Sequence, residues 1–263
     1  MKKILITGAN SYIGTSFEKY IEENHQDDYH IDTLDMINPN WKKCDFSGYD
    51  SIFHVAGIAH IKETKNNAHL YYEINRDLAI KVAKKAKQSK VHQFVFMSSM
   101  SVYGLDYSND YITLDTPTNP KTNYGKSKLQ AEKEILKLND DNFKVCVLRP
   151  PMVYGDKSPG NLTKLYKLVR KIHVFPTIKN QRSAISVEKL CMEVEKAICL
   201  DTKGILLPQN DKYMCTFEIV KNQMQLEDIN VIYIALFNQI IRLLIGKVGV
   251  ITKCFGNLVY EKK

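Results

Sequence analysis

The chain has 263 residues, which corresponds to one large domain or two modest ones and is enough to build a hydrophobic core without disulfides or a structural metal. Its composition, 44% hydrophobic and 25% charged, excludes collagen-like, low-complexity and disordered proteins. The net charge of +8 favours an anionic partner. Residues 151–200 hold 9 Lys and Arg against 4 Asp and Glu, so the second half is where that partner is expected.

The predicted elements of the first 150 residues alternate between short apolar runs and longer stretches of helical spacing. They are, in chain order, a strand at Lys3–Thr7, a helix at Ile13–Glu23, strands at Ile31–Asp35 and Ser51–Ala56, a helix at Tyr71–Lys87, a strand at Phe94–Met97, a helix at Ser127–Leu138 and a strand at Phe143–Leu148. This alternation is typical of an α/β protein with a doubly wound parallel sheet that carries helices on both faces.

The rhythm breaks after Pro150 and Pro151, where loops rich in glycine, proline and asparagine begin. Helices are predicted near Leu162–Lys171, Val187–Cys199 and Thr216–Gln223. We therefore divide the chain into a first domain, residues 1–155, and a smaller, partly intertwined C-terminal lobe, residues 156–263. Residues 187–200 are expected to pack back on the sheet.

Cysteine usage and hydropathy indicate the compartment. The six cysteines form no C-x-x-C pair, and we interpret them as reduced core residues of a cytoplasmic protein without a metal site. The apolar run Ile4–Ile6 is too short for a signal peptide. The apolar stretch Ile229–Ile245 is interrupted by Asn238, Gln239 and Arg242, so it predicts a buried amphipathic helix and no membrane span.

The segment between the first strand and the first helix has the spacing of a phosphate-binding turn. Gly8 permits the tight turn, Gly14 lets the helix pack close to the strand, and the free N–H groups of the helix start attract a pyrophosphate. Ser11 replaces the usual middle glycine, and its small hydroxyl is able to hydrogen-bond a phosphate oxygen. Two glycines alone also fit a plain strand–helix turn. The predicted cofactor-binding residues of the turn are Gly8, Asn10, Ser11, Tyr12, Ile13 and Gly14.

An acidic residue at the end of the second strand favours the cofactor interpretation. Asp35 lies 21 residues after Gly14, close to the spacing at which a carboxylate accepts hydrogen bonds from an adenosine ribose. Because a carboxylate there repels a 2′-phosphate, the sequence predicts NAD rather than NADP. Asp45 and Phe46, just before the third strand, are candidates for the adenine edge, with an ordinary exposed loop as the alternative.

Tyr124 and Lys128 are four residues apart and therefore lie on one face of a helix. A lysine and a cationic nicotinamide lower the pKa of a neighbouring phenol, which then acts as a general base for a hydroxyl. In a chain with 15 tyrosines such a pair also arises by chance, so its context decides. The run Ser98–Gly104 follows the preceding strand and delivers hydroxyls to the carboxyl edge of the sheet, where ligands of such folds bind.

Together these motifs resemble the extended short-chain dehydrogenase/reductase family, in its nucleotide-sugar epimerase/dehydratase branch. The matching segments extend from residue 4 to about 190 in the family's order and are Thr7–Gly14, Asp35, His54–Gly57, Asn75, Ser98–Gly104, Tyr124 with Lys128, Leu148–Gly155 and Asn180–Val187. The resemblance implies a Rossmann fold, NAD as cofactor, a UDP-sugar substrate and a homodimer formed through the two long helices that follow the third and fourth strands.

The resemblance also implies a role for each matching residue. Tyr124 is the implied acid/base, and Lys128 holds the nicotinamide ribose. Ser99, with Ser101 beside it, hydrogen-bonds the reacting sugar oxygen. Arg182 contacts the pyrophosphate of the sugar nucleotide, which suits the basic second half and the bidentate geometry of arginine.

Further cofactor contacts implied by the resemblance are Ala56, Gly57, Asn75 and Pro151. For Asn75 a structural bridge between helix and sheet is the alternative. His54 belongs to the same motif and is interpreted as a core histidine rather than a catalyst.

Departures from the family pattern bear on the reaction. In the 4,6-dehydratases an Asp-Glu pair follows the serine or threonine, whereas Met100 and Ser101 stand here, so dehydration is disfavoured. Met152 replaces an asparagine that holds the substrate in epimerases, which alters the sugar pocket. The segments around Met152 and Arg182 resemble a bacterial subgroup linked to surface polysaccharides.

We predict an NAD-dependent nucleotide-sugar epimerase that oxidises and re-reduces C4 of a UDP-hexose or UDP-hexosamine through a 4-keto intermediate, for surface polysaccharide synthesis. Two alternatives stay open: an NADH-dependent 4-ketoreductase of a UDP-4-keto-6-deoxyhexosamine, and a non-catalytic NAD-binding protein of the same fold. Nucleic-acid binding is not expected, since no aromatic–basic platform accompanies the charge. The chain ends earlier than family members usually do, so we expect the substrate lobe to lack its last elements.

Overall fold

The core of the molecule is a parallel sheet. The computed structural model describes residues 1–59, 61–156 and 158–262. The strands of this sheet are β1 (Lys2–Thr7), β2 (Tyr29–Leu34), β3 (Ser51–His54), β4 (Gln93–Met97), β5 (Lys144–Leu148) and β9 (Gly204–Leu206). Their order is β2-β1-β3-β4-β5-β9, and every neighbouring pair is parallel. The order reverses between β1 and β3, which is where such sheets open a ligand crevice at their carboxyl edge.

Helices cover both faces of the sheet, because side chains of a strand alternate between its two faces. On β3, Ile52 packs against the helices α3 (Ala79–Gln88) and α4 (Asn123–Leu136), whereas Phe53 packs against α1 (Tyr12–Asn24) and α6 (Val187–Cys199). The predicted doubly wound α/β fold is confirmed. The second half of the chain contributes both α6 and β9 to this unit.

In the first half of the chain, two helices differ from the predicted bounds by three residues or more at one end. The predicted helix at Tyr71–Lys87 is longer, since α2 (Ala68–Leu70) runs through a π-helical stretch, Tyr71–Leu78, into α3. Helix α4 begins four residues before the predicted Ser127, because the Thr122 hydroxyl caps it by accepting from the Gly125 N–H at 3.1 Å. Tyr124 consequently lies in the first turn of this helix.

The C-terminal lobe holds two short parallel sheets and a small core of its own. Besides α6 and β9, its elements are α5 (Asn161–Ile172), β7 (Val174–Pro176), β8 (Ala184–Ser186), α7 (Thr216–Leu226), β10 (Ile232–Ile234), α8 (Asn238–Leu244) and α9 (Gly249–Phe255), and β6 (Met152–Tyr154) lies directly before it. Strand β6 pairs with β8, and β7 pairs with β10. Val169, Phe175, Val220 and Met224 are buried between these elements.

The predicted buried helix at Ile229–Ile245 is wrong. That segment forms β10 and α8, and none of the α8 side chains is buried. The lobe core is filled by Val169, Phe175, Val220 and Met224, which leaves much of the apolar surface of α8 outside it. None of the helices in the described part of the chain has the length and apolar character needed to cross a bilayer.

The cysteines only partly follow the prediction. All six are free. Cys146 and Cys191 are buried as core residues, whereas Cys199 is exposed at the end of α6, so its interpretation as a core residue is wrong. The remaining three are half-buried.

A buried ion pair joins α4 to the carboxyl edge of the sheet. The Arg149 Nη2 lies 2.6 Å from Glu132 Oε2, and the two residues are only 5% and 1% exposed. Arg149 also donates to the Tyr103 hydroxyl at 2.9 Å, and Ser98 donates to Glu132. The Tyr260 hydroxyl donates to the Arg149 carbonyl at 2.7 Å, which brings the C-terminal segment to the same place.

Glu132→Gln is expected to lower the free energy of unfolding by about 3–5 kcal/mol, because it leaves a buried guanidinium without its countercharge. Urea unfolding measures this loss. Glu134→Gln on the same helix is the matched control, since Glu134 pairs with Lys137 at the surface, and it is expected to cause no measurable change. Equal effects of the two substitutions would contradict the role assigned to the buried pair.

Candidate active site

The turn after β1 is forced into close contact with the residues that follow β3. Gly8 has a φ of +124°, and a Cβ there would lie 2.6 Å from the Ala56 nitrogen, so this position requires glycine. The N–H groups of Gly8 and Ala9 donate to the Leu34 carbonyl at 2.9 and 3.2 Å. The carboxyl ends of β1, β2 and β3 therefore meet at one edge, as the predicted cofactor site requires.

Ser11 takes part in the start of α1. Its Oγ accepts from the Gly14 N–H at 3.1 Å, and a Cβ at Gly14 would lie 2.6 Å from that oxygen, so the serine and the glycine depend on each other. Asn10 adopts the left-handed conformation with a φ of 64°. The N–H groups of Tyr12 and Ile13 lie before the first intrahelical hydrogen bond and remain available to an anion, together with the Ser11 O–H.

The two acidic positions and Phe46 have different environments. Asp35 is exposed at the end of β2, where its Oδ1 accepts from the Ile37 N–H at 2.8 Å. Asp45 is exposed, and hydrogen bonds from the hydroxyl and N–H of Ser47 lower the pKa of its carboxyl. The adenine contact predicted for Asp45 and Phe46 stays a prediction. Phe46 is fully buried beneath the Lys85 ammonium, because the apolar ring completes the core on that face.

Asn75 is a structural bridge. Its Oδ1 accepts from the Ile58 N–H at 2.8 Å and its Nδ2 donates to the Ile58 carbonyl at 2.9 Å. The side chain is fully buried, which supports the structural alternative, and the implied cofactor contact stays a prediction. A Cβ at Gly57 would lie 2.8 Å from Asn75 Oδ1 and 3.4 Å from Lys128 Nζ, which shows how closely the loop after β3 approaches Lys128.

Lys128 carries a buried ammonium at the centre of this edge. It is 4% exposed, donates to the Met97 carbonyl at 2.7 Å and lies 4.8 Å from the centre of the Phe96 ring. Burial lowers its pKa to about 8, although the Glu132 carboxylate acts in the opposite direction. Near pH 7 the Lys128 side chain is therefore still a cation, and its ammonium lies beside Gly57.

His54 belongs to the core. Its ring stacks on Phe94 and Phe96, and its Nδ1 lies 2.7 Å from the Thr7 hydroxyl. Complete burial, and then the charge of Lys128, lower its pKa to about 3, so the imidazole is neutral. The buried Nε2 has no hydrogen-bond partner within the described residues.

Tyr124 and the serines after β4 bring hydroxyl groups together. Burial raises the pKa of Tyr124, and the nearby Ser99 hydroxyl lowers it. The Ser99 Oγ lies 3.2 Å from Ser101 Oγ and also accepts from the Ser101 N–H at 3.2 Å. The phenol and the hydroxyl of Ser99 thus point at the same small volume, with Ser101 exposed beside them.

Glu63 is a positioning residue that sequence reasoning missed. Its carboxylate accepts from the N–H groups of Tyr124 at 3.0 Å and of Asn123 at 3.1 Å, so it binds the positive end of α4. It holds the backbone of Tyr124 from a loop about 60 residues earlier. No local sequence pattern could predict a contact between residues so far apart in the chain.

Arg182 lies in the C-terminal lobe, at a half-buried position. Its Nη1 donates to the Gly256 carbonyl at 2.8 Å, and no carboxylate of the described residues lies within 4 Å of it. Burial lowers its pKa, so the cation lacks a full countercharge. Pro151, the last implied cofactor contact, is buried just after β5.

A phosphate-type turn, a carboxylate after the second strand and a half-buried Tyr124 beside the buried Lys128 on a doubly wound sheet define a nicotinamide-cofactor protein of the Rossmann type. The chain belongs to the NAD dependent epimerase/dehydratase family, whose model matches residues 4–187. The family resemblance predicted from the sequence is confirmed, and NAD is the cofactor of this family.

Two relatives and one solved structure show which proteins this chain is similar to. UDP-glucose 4-epimerase of Vibrio cholerae is 30% identical over 72% of this chain and 64% of its own length. N-acetyl-alpha-D-glucosaminyl-diphospho-ditrans,octacis-undecaprenol 4-epimerase of Escherichia coli O157:H7 is 26% identical over 63% of this chain and 53% of its length. The chain therefore spans less than two thirds of these relatives. The crystal structure of UDP-glucuronic acid 4-epimerase from Bacillus cereus with NAD matches with a TM-score of 0.73 and 18% identity over 89% of this chain and 87% of that one, which shows a shared fold.

Lys128→Met is expected to be more stable than the parent protein near pH 7, because it removes a buried ammonium and keeps the aliphatic length. The pKa of Lys128 falls from 10.5 in the unfolded chain to about 8 in the folded one. Between these values the unfolded chain binds more protons, so the parent gains stability as the pH rises. The difference in the free energy of unfolding between Lys128→Met and the parent protein should therefore narrow by about 3 kcal/mol between about pH 8 and pH 10.5.

Urea unfolding of both proteins at several pH values measures this difference in the free energy of unfolding. Lys126→Met, on an exposed lysine of the same helix, is the control, and its difference from the parent is expected not to change with pH. A pH-independent gap for Lys128→Met would show that the ammonium is not desolvated as described.

Proposed function

We propose that the protein is an NAD-dependent nucleotide-sugar 4-epimerase that acts on a UDP-hexose or UDP-hexosamine. The observation that carries this proposal is the position of Tyr124 in the first turn of α4, near the Ser99 hydroxyl and one turn before the buried ammonium of Lys128. The Gly8–Gly14 turn lies at the same sheet edge. The names of the Vibrio and Escherichia relatives support epimerisation at C4.

The residues present fit NAD. The glycine at position 8 lets the turn lie against the backbone of Ala56, and Tyr12 and Ile13 offer N–H groups to a pyrophosphate. The exposed Asp35 carboxylate suits the two ribose hydroxyls of NAD and opposes a 2′-phosphate. When bound, NAD supplies the hydride chemistry, accepting a hydride from a sugar carbon and returning it.

The side chains of Tyr124, Ser99 and Lys128 are proposed to handle the proton of the sugar hydroxyl. Tyr124 takes the proton from the C4 hydroxyl of the sugar and returns it, a role that contributes roughly 10²–10⁴ to the rate. Burial alone keeps the pKa of the phenol high, so the nearby Ser99 hydroxyl and the positive charge of Lys128 are needed to favour the phenolate. Ser99 also orients the reacting oxygen, and Glu63 fixes the backbone from which the phenol extends.

The substrate diphosphate is proposed to bind at Arg182. A half-buried guanidinium without a carboxylate partner is suited to a ligand that brings its own negative charge. The sugar part would extend from there toward Ser99. The basic surplus of residues 151–200 supports an anionic ligand in this lobe.

The proposal extends to the compartment, the oligomeric state and the product of the enzyme. We propose that the enzyme works in the cytoplasm, as a homodimer, and makes a sugar for surface polysaccharides. The free cysteines suit a reducing compartment. The lipid-linked sugar in the name of the Escherichia relative supports a link to polysaccharide assembly.

The first test is turnover without added cofactor. The purified protein is expected to carry NAD and to interconvert UDP-glucose and UDP-galactose, or their N-acetylamino forms, with no NADH supplied. Stoichiometric consumption of NADH with a UDP-4-keto-6-deoxyhexosamine would instead identify a 4-ketoreductase. Tyr124→Phe should lower kcat by about 10²–10⁴, whereas Tyr111→Phe, at an exposed tyrosine, should leave it unchanged. No turnover of any of these sugars and no bound NAD would overturn the proposal.

The second test concerns cofactor choice. The parent protein is expected to bind NADH at least about tenfold more tightly than NADPH, because the Asp35 carboxylate repels the 2′-phosphate. Asp35→Asn removes that charge and should shrink the preference severalfold, as measured by calorimetric titration. Asp27→Asn makes the same charge change at another exposed position and should leave the preference intact. Equal preferences in all three proteins would exclude Asp35 from the ribose site.

A further inference from the structure

The C-terminal lobe exposes an apolar strip formed by Leu236, Phe237, Ile240, Leu243, Val248 and Val250. These side chains are between 40% and 80% exposed. Ile240 and Leu243 lie three residues apart on one face of α8, Leu236 and Phe237 lie in the turn before it, and the valines follow at the start of α9. Contiguous exposed apolar residues of this size mark an interaction site rather than ordinary surface.

The strip faces away from the rest of the lobe. On the inner side of α8, Asn238 donates to the Thr177 hydroxyl at 2.9 Å. Ile241, Leu244 and Ile245 are half-buried on that side. The helix is therefore attached by one face, and its remaining surface is free to contact a partner.

The chain around the strip is basic. Residues 229–260 contain Arg242, Lys247 and Lys253 but neither Asp nor Glu. Arg242 and Lys247 are exposed, and neither has a carboxylate within 4 Å in the described part of the chain. Lys253 is the one of the three that pairs with an acid, Asp106, at 3.7 Å.

A second acid-free segment is joined to the first. Residues 161–183 contain six Lys and Arg and no acidic residue. The pairing of β7 with β10 links the two segments in one small sheet. Beside α8 a cavity of about 410 Å³ is lined by both Lys179 and Arg242, and no acidic residue lines it. An anion is therefore suited to the cavity as well as to the outer surface.

We propose that the apolar strip docks the protein on the surface of an anionic lipid bilayer. The strip would enter the boundary between headgroups and acyl chains, while Arg242 and Lys247 contact lipid phosphates. A helix of seven residues is far too short to span a bilayer, so it lies in the plane of the interface. A second copy is the poorer occupant, because a symmetric contact would oppose the same cations from both subunits.

Vesicle flotation tests this proposal. The full chain, at low salt, is expected to float with vesicles of phosphatidylcholine that contain phosphatidylglycerol, and to float much less with phosphatidylcholine alone or at high salt. Ile240→Ser with Leu243→Ser should lower the partition coefficient at least tenfold, since both side chains lose their burial in lipid. Arg242→Gln should lower it about fivefold.

Matched controls separate docking from unfolding. Leu200→Ser changes an apolar residue that is 63% exposed at the end of α6, outside the strip, and should leave flotation unchanged. Phe237→Trp gives a local probe, whose fluorescence should be quenched by lipids with brominated chains, whereas the buried Trp41 should not respond. Circular dichroism confirms that each variant is folded.

Three results would overturn the proposal. One is flotation that does not depend on anionic lipid. Another is equal loss of flotation in Leu200→Ser and in the strip variant. The third is a dimer in analytical ultracentrifugation that the strip substitutions dissociate and that does not bind vesicles, because this would assign the strip to a second copy.

Discussion

Three buried charges on and beside α4 are the constraint on which the site depends. Lys128 and Glu132 are one turn apart on the helix, and Arg149 follows β5. The ammonium is held by the carbonyl at the end of β4, and the carboxylate is held by Arg149 and Ser98. Taking these charges out of water is costly, so each is tied to a strand end. The helix can therefore take only one depth and rotation on the sheet.

That fixed helix decides where the phenol lies. Tyr124 is in the first turn of α4, so a small shift of the helix would carry its hydroxyl away from Ser99. The cap from Thr122 and the carboxylate of Glu63 act on this first turn, while the buried charges act one and two turns later. The low pKa of Lys128 and the high pKa of Tyr124 have the same origin, which is the dry environment that this packing creates. The packing that fixes the helix thus also tunes the site.

The parts predicted correctly from the sequence are those set by local spacing. The alternation of apolar runs predicted the sheet, and the glycine spacing predicted a turn that the structure shows to need Gly8. Local spacing cannot predict contacts between residues that are distant in the sequence. The Phe46 ring completes the core, and both ends of the Asn75 amide hydrogen-bond the backbone of Ile58. Glu63 was missed because its partner is about 60 residues away.

The C-terminal lobe separates two kinds of cation. Arg182 is half-buried, with its pKa lowered by desolvation, and its guanidinium is anchored to the Gly256 carbonyl. Arg242 and Lys247 remain exposed beside apolar side chains that the lobe core cannot accommodate. A desolvated cation suits a small ligand that supplies its own charge, whereas hydrated cations beside apolar groups suit a broad anionic surface. The basic surplus of the sequence is therefore divided between a desolvated arginine and exposed cations beside apolar groups.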